Sequence, residues 1–261
     1  MTRSDAGWAI RSSESKISRL ELGRVGSKER DVEDLLTLYS VTDAAERDRL
    51  LQLARDANNR GWWHRYHDVT PDWFNDYLGL EAASDLIRTY EVQFVPGLLQ
   101  TPEYTRAVAA LTSGTERTPD ELDQIVALRT TRQAELHRDP PLRLWAVIEE
   151  SVLRRPIGDQ QVLRDQLAWL LQANQWPNIT LQIIPLGSTG HAATAGAFSV
   201  LRFPQADLPD VVYLEHLTSA LYLDKRDDLD AYTHVLDSLT VSAPPPQQAE
   251  QQLETILEQL G

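Results

Sequence analysis

Val211-Val212-Tyr213-Leu214-Glu215-His216-Leu217-Thr218-Ser219-Ala220-Leu221-Tyr222-Leu223-Asp224 is the stretch on which the reading of this chain turns. Strand alternation places Val211, Tyr213 and Glu215 on one face of 211–217 and Val212, Leu214 and His216 on the other. Both faces are mainly apolar, which predicts a central strand covered on both sides. Both change to an ionisable group at the same end, where a carboxylate and an imidazole either satisfy the fold or meet a ligand.

Leu142-Arg143-Leu144-Trp145-Ala146-Val147-Ile148-Glu149-Glu150 repeats that pattern and also ends in acids. Further strands are expected at 179–185, 197–203 and 220–223. Helices are expected at about 72–88, 102–112, 119–138, 159–174 and 227–240, from apolar positions at helical spacing. Three of the helix starts share one device, Thr70-Pro71, Thr101-Pro102 and Thr118-Pro119, in which Thr caps and Pro takes the first helical position. Residues 87–100 read as an extended apolar connection with a Pro96-Gly97 turn, lining the core or a pocket. The fold class is therefore α+β, with a mixed β-sheet packed by helices.

The chain has 261 residues, no cysteine and a formal net charge of −14. Without cysteine it has no disulfide and no thiolate chemistry, which fits a reducing, cytoplasmic setting. No apolar run approaches the ~20 residues of a membrane span, so no membrane partner is expected. Residues 1–30 hold seven Lys/Arg against four acids, whereas the remainder carries −17. An acidic body repels nucleic acid, so any DNA contact belongs to the first 30 residues.

Ser12-Ser13-Glu14-Ser15-Lys16-Ile17-Ser18-Arg19-Leu20-Glu21-Leu22-Gly23-Arg24 reads as a short capped helix with Ile17 and Leu20 inward and a glycine stop. Helices at 31–39 and 43–60 follow. The 15–24 segment resembles the recognition helix of XRE-type helix-turn-helix regulators, and the next two helices resemble those that close that domain. The resemblance implies DNA contacts from Ser13, Ser15, Lys16, Ser18, Arg19 and Arg24. It also implies two helices ahead of the recognition helix, where 1–11 offers little chain. Residues 1–60 are thus expected to be a truncated all-α remnant whose DNA binding is weak or lost. Residues 61–241 are expected to be the α+β domain, and 242–261 a linker and C-terminal helix after Pro244-Pro245-Pro246.

From about 61 to 239 the chain is similar to the uncharacterised domain that follows the helix-turn-helix in many actinobacterial XRE-family regulators. Arg88-Thr89-Tyr90-Glu91, 95–101, 153–158 and 210–215 are the landmarks. This resemblance implies a sensor or effector domain, often linked to a small protein partner. A homodimer is expected, since such regulators read two half-sites; the Leu253, Ile256, Leu257 and Leu260 stripe is one candidate surface.

The chain lacks a phosphate-binding glycine loop, a G-x-S-x-G elbow and H-E-x-x-H. His64 and His67 have metal spacing but no third ligand nearby, and neither a metal nor a cofactor is expected. If 142–150 and 211–217 lie parallel and close in one sheet, Glu149 and Glu215 meet at one edge, with Tyr213, His216 and His191 as further catalytic candidates. The wall of that pocket would include Tyr90, Phe94, Leu99, Tyr104, Trp145, Phe198 and Tyr222, and its occupant a small-molecule effector or substrate. In the opposing structural reading, Glu149 and Glu150 start a helix near Ser151, and Glu215 pairs with Arg154 or Arg155. Three functions remain: a regulator with an effector domain, a DNA-binding-deficient relative with a ligand or catalytic pocket, and an antitoxin-like interaction module.

Overall fold

Leu86–Glu91, the first strand, β1, lies in the middle of the sheet rather than in a connection. Ile87 and Thr89 are β-branched, and Ser84 ends the preceding helix by turning extended and donating its hydroxyl back to the Leu80 carbonyl at 2.7 Å. The helix expected over 72–88 therefore stops at Ala83. The computed structural model describes residues 2–21, 28–58, 61–112, 117–188, 196–206 and 208–260. Two compact units result, Met1–His64 and Arg65–Gly261.

The first unit is helical: α1 (Arg3–Ala9), α2 (Glu14–Glu21), α3 (Glu29–Leu38) and α4 (Ala44–Asn58). One of the two helices that the resemblance requires before the recognition helix is thus present in 1–11. It starts with a capping box, in which the Thr2 hydroxyl accepts from Asp5 N and the Asp5 carboxylate accepts from Thr2 N. Ala6, Ile10 and Ile17 form the small core, with Leu20, Leu35 and Leu38 packed on it. A Cβ on Gly7 would lie 3.0 Å from the Ser12 carbonyl oxygen, so glycine lets the turn into α2 close tightly.

The second unit holds α5 (Asp72–Ala83), β1, α6 (Pro102–Thr112), α7 (Pro119–Gln133), β2 (Arg143–Glu149), α8 (Glu150–Arg154), α9 (Gln160–Ala173) and β3 (Ile179–Ile184). Then come β4 (Phe198–Arg202), β5 (Val211–Glu215), β6 (Ala220–Leu223), α10 (Arg226–Ser242) and α11 (Ala249–Gln259). The sheet is mixed, in the order β3-β2-β1-β4-β5-β6. β1, β2 and β3 are mutually parallel, while β4 runs against β1 and β5 against β4. β5 therefore runs with β1 and β2, and the three strands end on the same edge. It lies beside the short edge strand β6, not at the centre as its two apolar faces imply.

One sheet face carries Tyr90, Val147, Ile184, Phe198, Val200, Val212 and Leu214 and is sealed by Leu236, Leu239 and Ala243 of and beyond α10. Arg88 ties that face to α10 through Asp237 at 2.7 Å and lies over the Trp145 ring. Gln182 bridges the same region, accepting from Trp145 Nε1 and donating to the Thr240 and Pro244 carbonyls. The opposite face carries Ile87, Thr89, Glu91, Ser199, Tyr213 and Glu215, and the Tyr77 ring of α5 packs at a tilt on Tyr213 there.

Thr-Pro capping acts at Thr118, which forms a full capping box with Glu121, and at Thr101, which accepts from Tyr104 N. It fails at Thr70, whose hydroxyl donates to the Tyr66 carbonyl instead, leaving Pro71 as an N-cap without a side-chain bond. Of the stripe Leu253, Ile256, Leu257 and Leu260, the first two are buried, with α11 packed against α9 and β3, while Leu257 and Leu260 are half-buried. Among the described residues no helix is long and apolar enough to cross a membrane.

Candidate functional site

The three co-terminal strands deliver three carboxylates to one edge: Glu91 from β1, Glu149 from β2 and Glu215 from β5. They do not converge. Between β2 and β5 lie β1 and β4, and alternation sends Glu149 to the α10 face but Glu91 and Glu215 to the other. The expected single pocket is thereby divided. Tyr90, Trp145, Glu149 and Phe198 belong to the α10 side, where Tyr90 donates to Glu149 at 2.7 Å. Tyr104, Tyr213, Glu215 and Tyr222 belong to the other side, with the Leu99 backbone held there by α9. Phe94 is half-buried in the loop that follows β1.

His216 is exposed in the β5–β6 turn, where its backbone N–H donates to Ser219. His191, Arg24 and the Arg19 side chain lie outside the described residues. Glu150 takes the helix-start role read for these acids: it pairs with Arg154 at 2.5 Å and accepts from Leu186 N at 2.9 Å. Arg154 is thus not available to Glu215, whose carboxylate accepts from the Tyr213 hydroxyl at 2.9 Å.

The side with Glu91 holds charges that the sequence reading missed. Arg132 of α7 makes a two-pronged ion pair with Glu81 of α5, both contacts 2.7 Å, with 3% and 1% of the two residues exposed. Its guanidinium also lies over the Phe74 and Tyr77 rings. Arg129, one turn earlier, is half-buried and makes no hydrogen bond or ion pair among the described residues. A Cβ on Gly97 would meet Arg129 Nη1 at 2.1 Å and Arg132 Nη1 at 3.3 Å, so both guanidiniums press on this turn and only glycine admits them.

The turn itself is fixed by amides. Gln133 donates to the Gln100 carbonyl at 2.6 Å, Gln166 to Leu99 at 2.7 Å, and Gln100 to Val95 at 2.7 Å. A turn pinned by three side chains is preorganised rather than adaptable.

Burial pushes the Glu91 carboxyl up to about 8; nearby Glu215 adds to this, while the Thr89 hydroxyl at 3.0 Å and the Arg129 charge oppose it. Burial and the neighbouring Arg132 pull Arg129 down to about 10, against the attraction of Glu215 and Glu81. Burial, followed by the Glu215 charge, raises the Tyr213 phenol far above its ordinary value. Mutually perturbed groups at strand ends are the usual mark of a site for binding or proton transfer. Glu215 is exposed, so the cluster reaches solvent at that end.

A cleft of about 490 Å³ lies elsewhere, along α10, lined by Arg202, Asp210, Leu229, Asp230, Thr233, His234 and Asp237. Its ion pair Arg202–Asp210, at 2.8 Å, is already made, and none of the residues expected for the pocket lines it. Among the described residues no three potential metal ligands cluster, and His67 faces Asp68 at 2.8 Å.

In the helical unit, Ser13 caps α2 by accepting from Lys16 N, and its hydroxyl meets that of Ser15 at 3.0 Å. Ser18 is half-buried. Lys16, expected to contact DNA, pairs with the buried Asp31 of α3 at 2.5 Å.

A helix-turn-helix domain followed by an α+β domain with its own polar cluster is the plan of a DNA-binding regulator with a C-terminal module. Comparison with known families gives the same division: a model described as a helix-turn-helix domain matches residues 1–50. A second, described as a domain of unknown function (DUF5753), matches residues 74–255, and the chain belongs to that family. No curated protein and no solved structure matches the chain. The helix-turn-helix domain supports DNA as a partner.

Proposed function

We propose that the chain is a cytoplasmic XRE-type transcriptional regulator of actinobacterial kind, whose C-terminal domain binds a small-molecule effector. The observation that carries the effector reading is Arg129, a half-buried cation without a partner among the described residues, set beside a rigid turn at the ends of β1 and β5. Two-fold assembly belongs to this reading, because paired half-sites are read by paired domains. Selection from a random duplex library with the full chain, followed by mobility shift at physiological salt, tests it. Enrichment of one repeated motif supports the regulator; only sequence-independent, salt-sensitive binding overturns it.

The Lys16–Asp31 pair favours a second reading. Here the chain is a relative that has given up DNA and kept its effector site for ligand binding or catalysis. A small protein partner is compatible with either.

A further inference from the structure

We infer that the Arg129 cluster binds a small zwitterion, a molecule bearing both a carboxylate and a primary ammonium, as free amino acids and short peptides do. The inference rests on the effector reading above and gives that site its ligand chemistry.

Arg129 and Arg132 are one helical turn apart and converge on Gly97, but only Arg132 has a carboxylate. Five guanidinium donors on Arg129 have no protein acceptor among the described residues. A half-buried arginine in that state holds a place for an anion, and the planar fork suits a carboxylate. The turn at Gly97 is tied down by Gln133, Gln166 and Gln100, so the fork is presented in a fixed position.

The opposite end of the cluster asks for the opposite charge. Glu91 and Glu215 stand on β1 and β5, on the same face and at the same sheet edge, close enough for each to feel the other. Each carboxylate accepts one hydroxyl, from Thr89 and Tyr213 respectively, and retains further lone pairs. An ammonium beside them donates to the carboxyl oxygens that remain open and pairs with the Glu215 charge.

Charge balance excludes the simpler ligands. Glu81 neutralises Arg132, Glu215 offsets Arg129, and Glu91 is largely protonated at neutral pH. A bare anion or a bare cation leaves this balance with a net charge, whereas a zwitterion keeps it and meets both ends.

Isothermal calorimetry on the full chain tests this, with the free α-amino acids and glycyl dipeptides as probes beside the N-acetyl and C-amide form of each. The expected result is binding by at least one free form, weakened about tenfold or more by masking either end. Arg129→Gln should weaken binding of the free and N-acetyl forms, which carry the carboxylate. Glu215→Gln, at an exposed position, should weaken the free and amide forms without unfolding the protein. Binding by no member of the panel overturns the inference, as does binding that Arg129→Gln leaves unchanged while its melting temperature is that of the parent. A selected DNA motif without zwitterion binding removes this inference alone; binding without a motif removes only the regulator.

Discussion

Arg132 grips both oxygens of Glu81 at 2.7 Å in a part of the domain from which water is excluded. The pair joins α7 to α5 and lets the second arginine of the turn, Arg129, stand nearby. Breaking such a pair leaves one buried charge alone, at a cost of ~3–5 kcal/mol. Glu81→Gln and Arg132→Gln should each lower the melting temperature markedly, while Arg129→Gln, which removes a charge without an ion-pair partner, should leave it level or raise it. Thermal denaturation of the three variants checks the ordering.

Glu91 gives the protein a pH dependence of known sign. Its folded pKa, about 8, lies above the ordinary 4.5, so the folded state favours the neutral form. The stability this confers is complete below the ordinary value and is lost as pH rises through about 8. The groups facing it are Glu215, Arg129, Thr89, Tyr77 and Tyr104. Glu91→Gln should flatten this fall and melt higher than the parent near pH 9, by roughly a few degrees. Melting curves taken between about pH 5 and pH 9 decide the matter; equal slopes in parent and variant would remove Glu91 as the source.

Gly97→Ala should act on Arg129. The added methyl would lie 2.1 Å from Nη1, so the guanidinium must leave the turn. The fold should survive with little loss of stability, since the atom met is the far end of a flexible side chain, and any ligand response should fall as in Arg129→Gln. Chemical denaturation and calorimetry separate the two effects.

In the helical unit, Lys16 pairs with Asp31 at 2.5 Å. Asp31→Asn should release it, strengthening non-specific DNA binding and steepening the salt slope by roughly 1. Lys16→Gln should strand the buried carboxylate and destabilise that unit. Mobility shifts across a salt series, paired with melting, test both.

Leu253 of α11 is fully buried. Leu253→Ala should cost ~2–5 kcal/mol while leaving the oligomeric state as it was, since this side chain is buried within the chain. Denaturation and light scattering report the two quantities.

The sheet was legible where a short apolar run stood out: the strands expected at 142–150 and 179–185 are Arg143–Glu149 and Ile179–Ile184. β1 was missed because Phe94-Val95-Pro96-Gly97 continues its apolar character, so that strand and turn merge into one extended stretch. Glu91, Glu81 and Arg129 lie on three elements, and only the strand order and the α5–α7 packing bring them near one another. The i, i+3 spacing of Arg129 and Arg132 was the one local sign of the cluster, visible once 119–133 was read as a helix. Separation of Glu149 from Glu215 depended on two intervening strands, which no local pattern encodes. The Lys16–Asp31 pair has no local sign in the sequence, because Asp31 belongs to the next helix.

β1 carries Tyr90 and Glu91 side by side, one facing the α10 core and the other the charged cluster. The strand is therefore a partition whose two sides are kept apart by parity alone. Deleting a single residue between 86 and 90 would exchange their compartments, putting a carboxyl among aliphatic side chains and a phenol where the carboxyl had been. Evolution can retune the cluster by substitution, but any change in the length of this strand must come in steps of two.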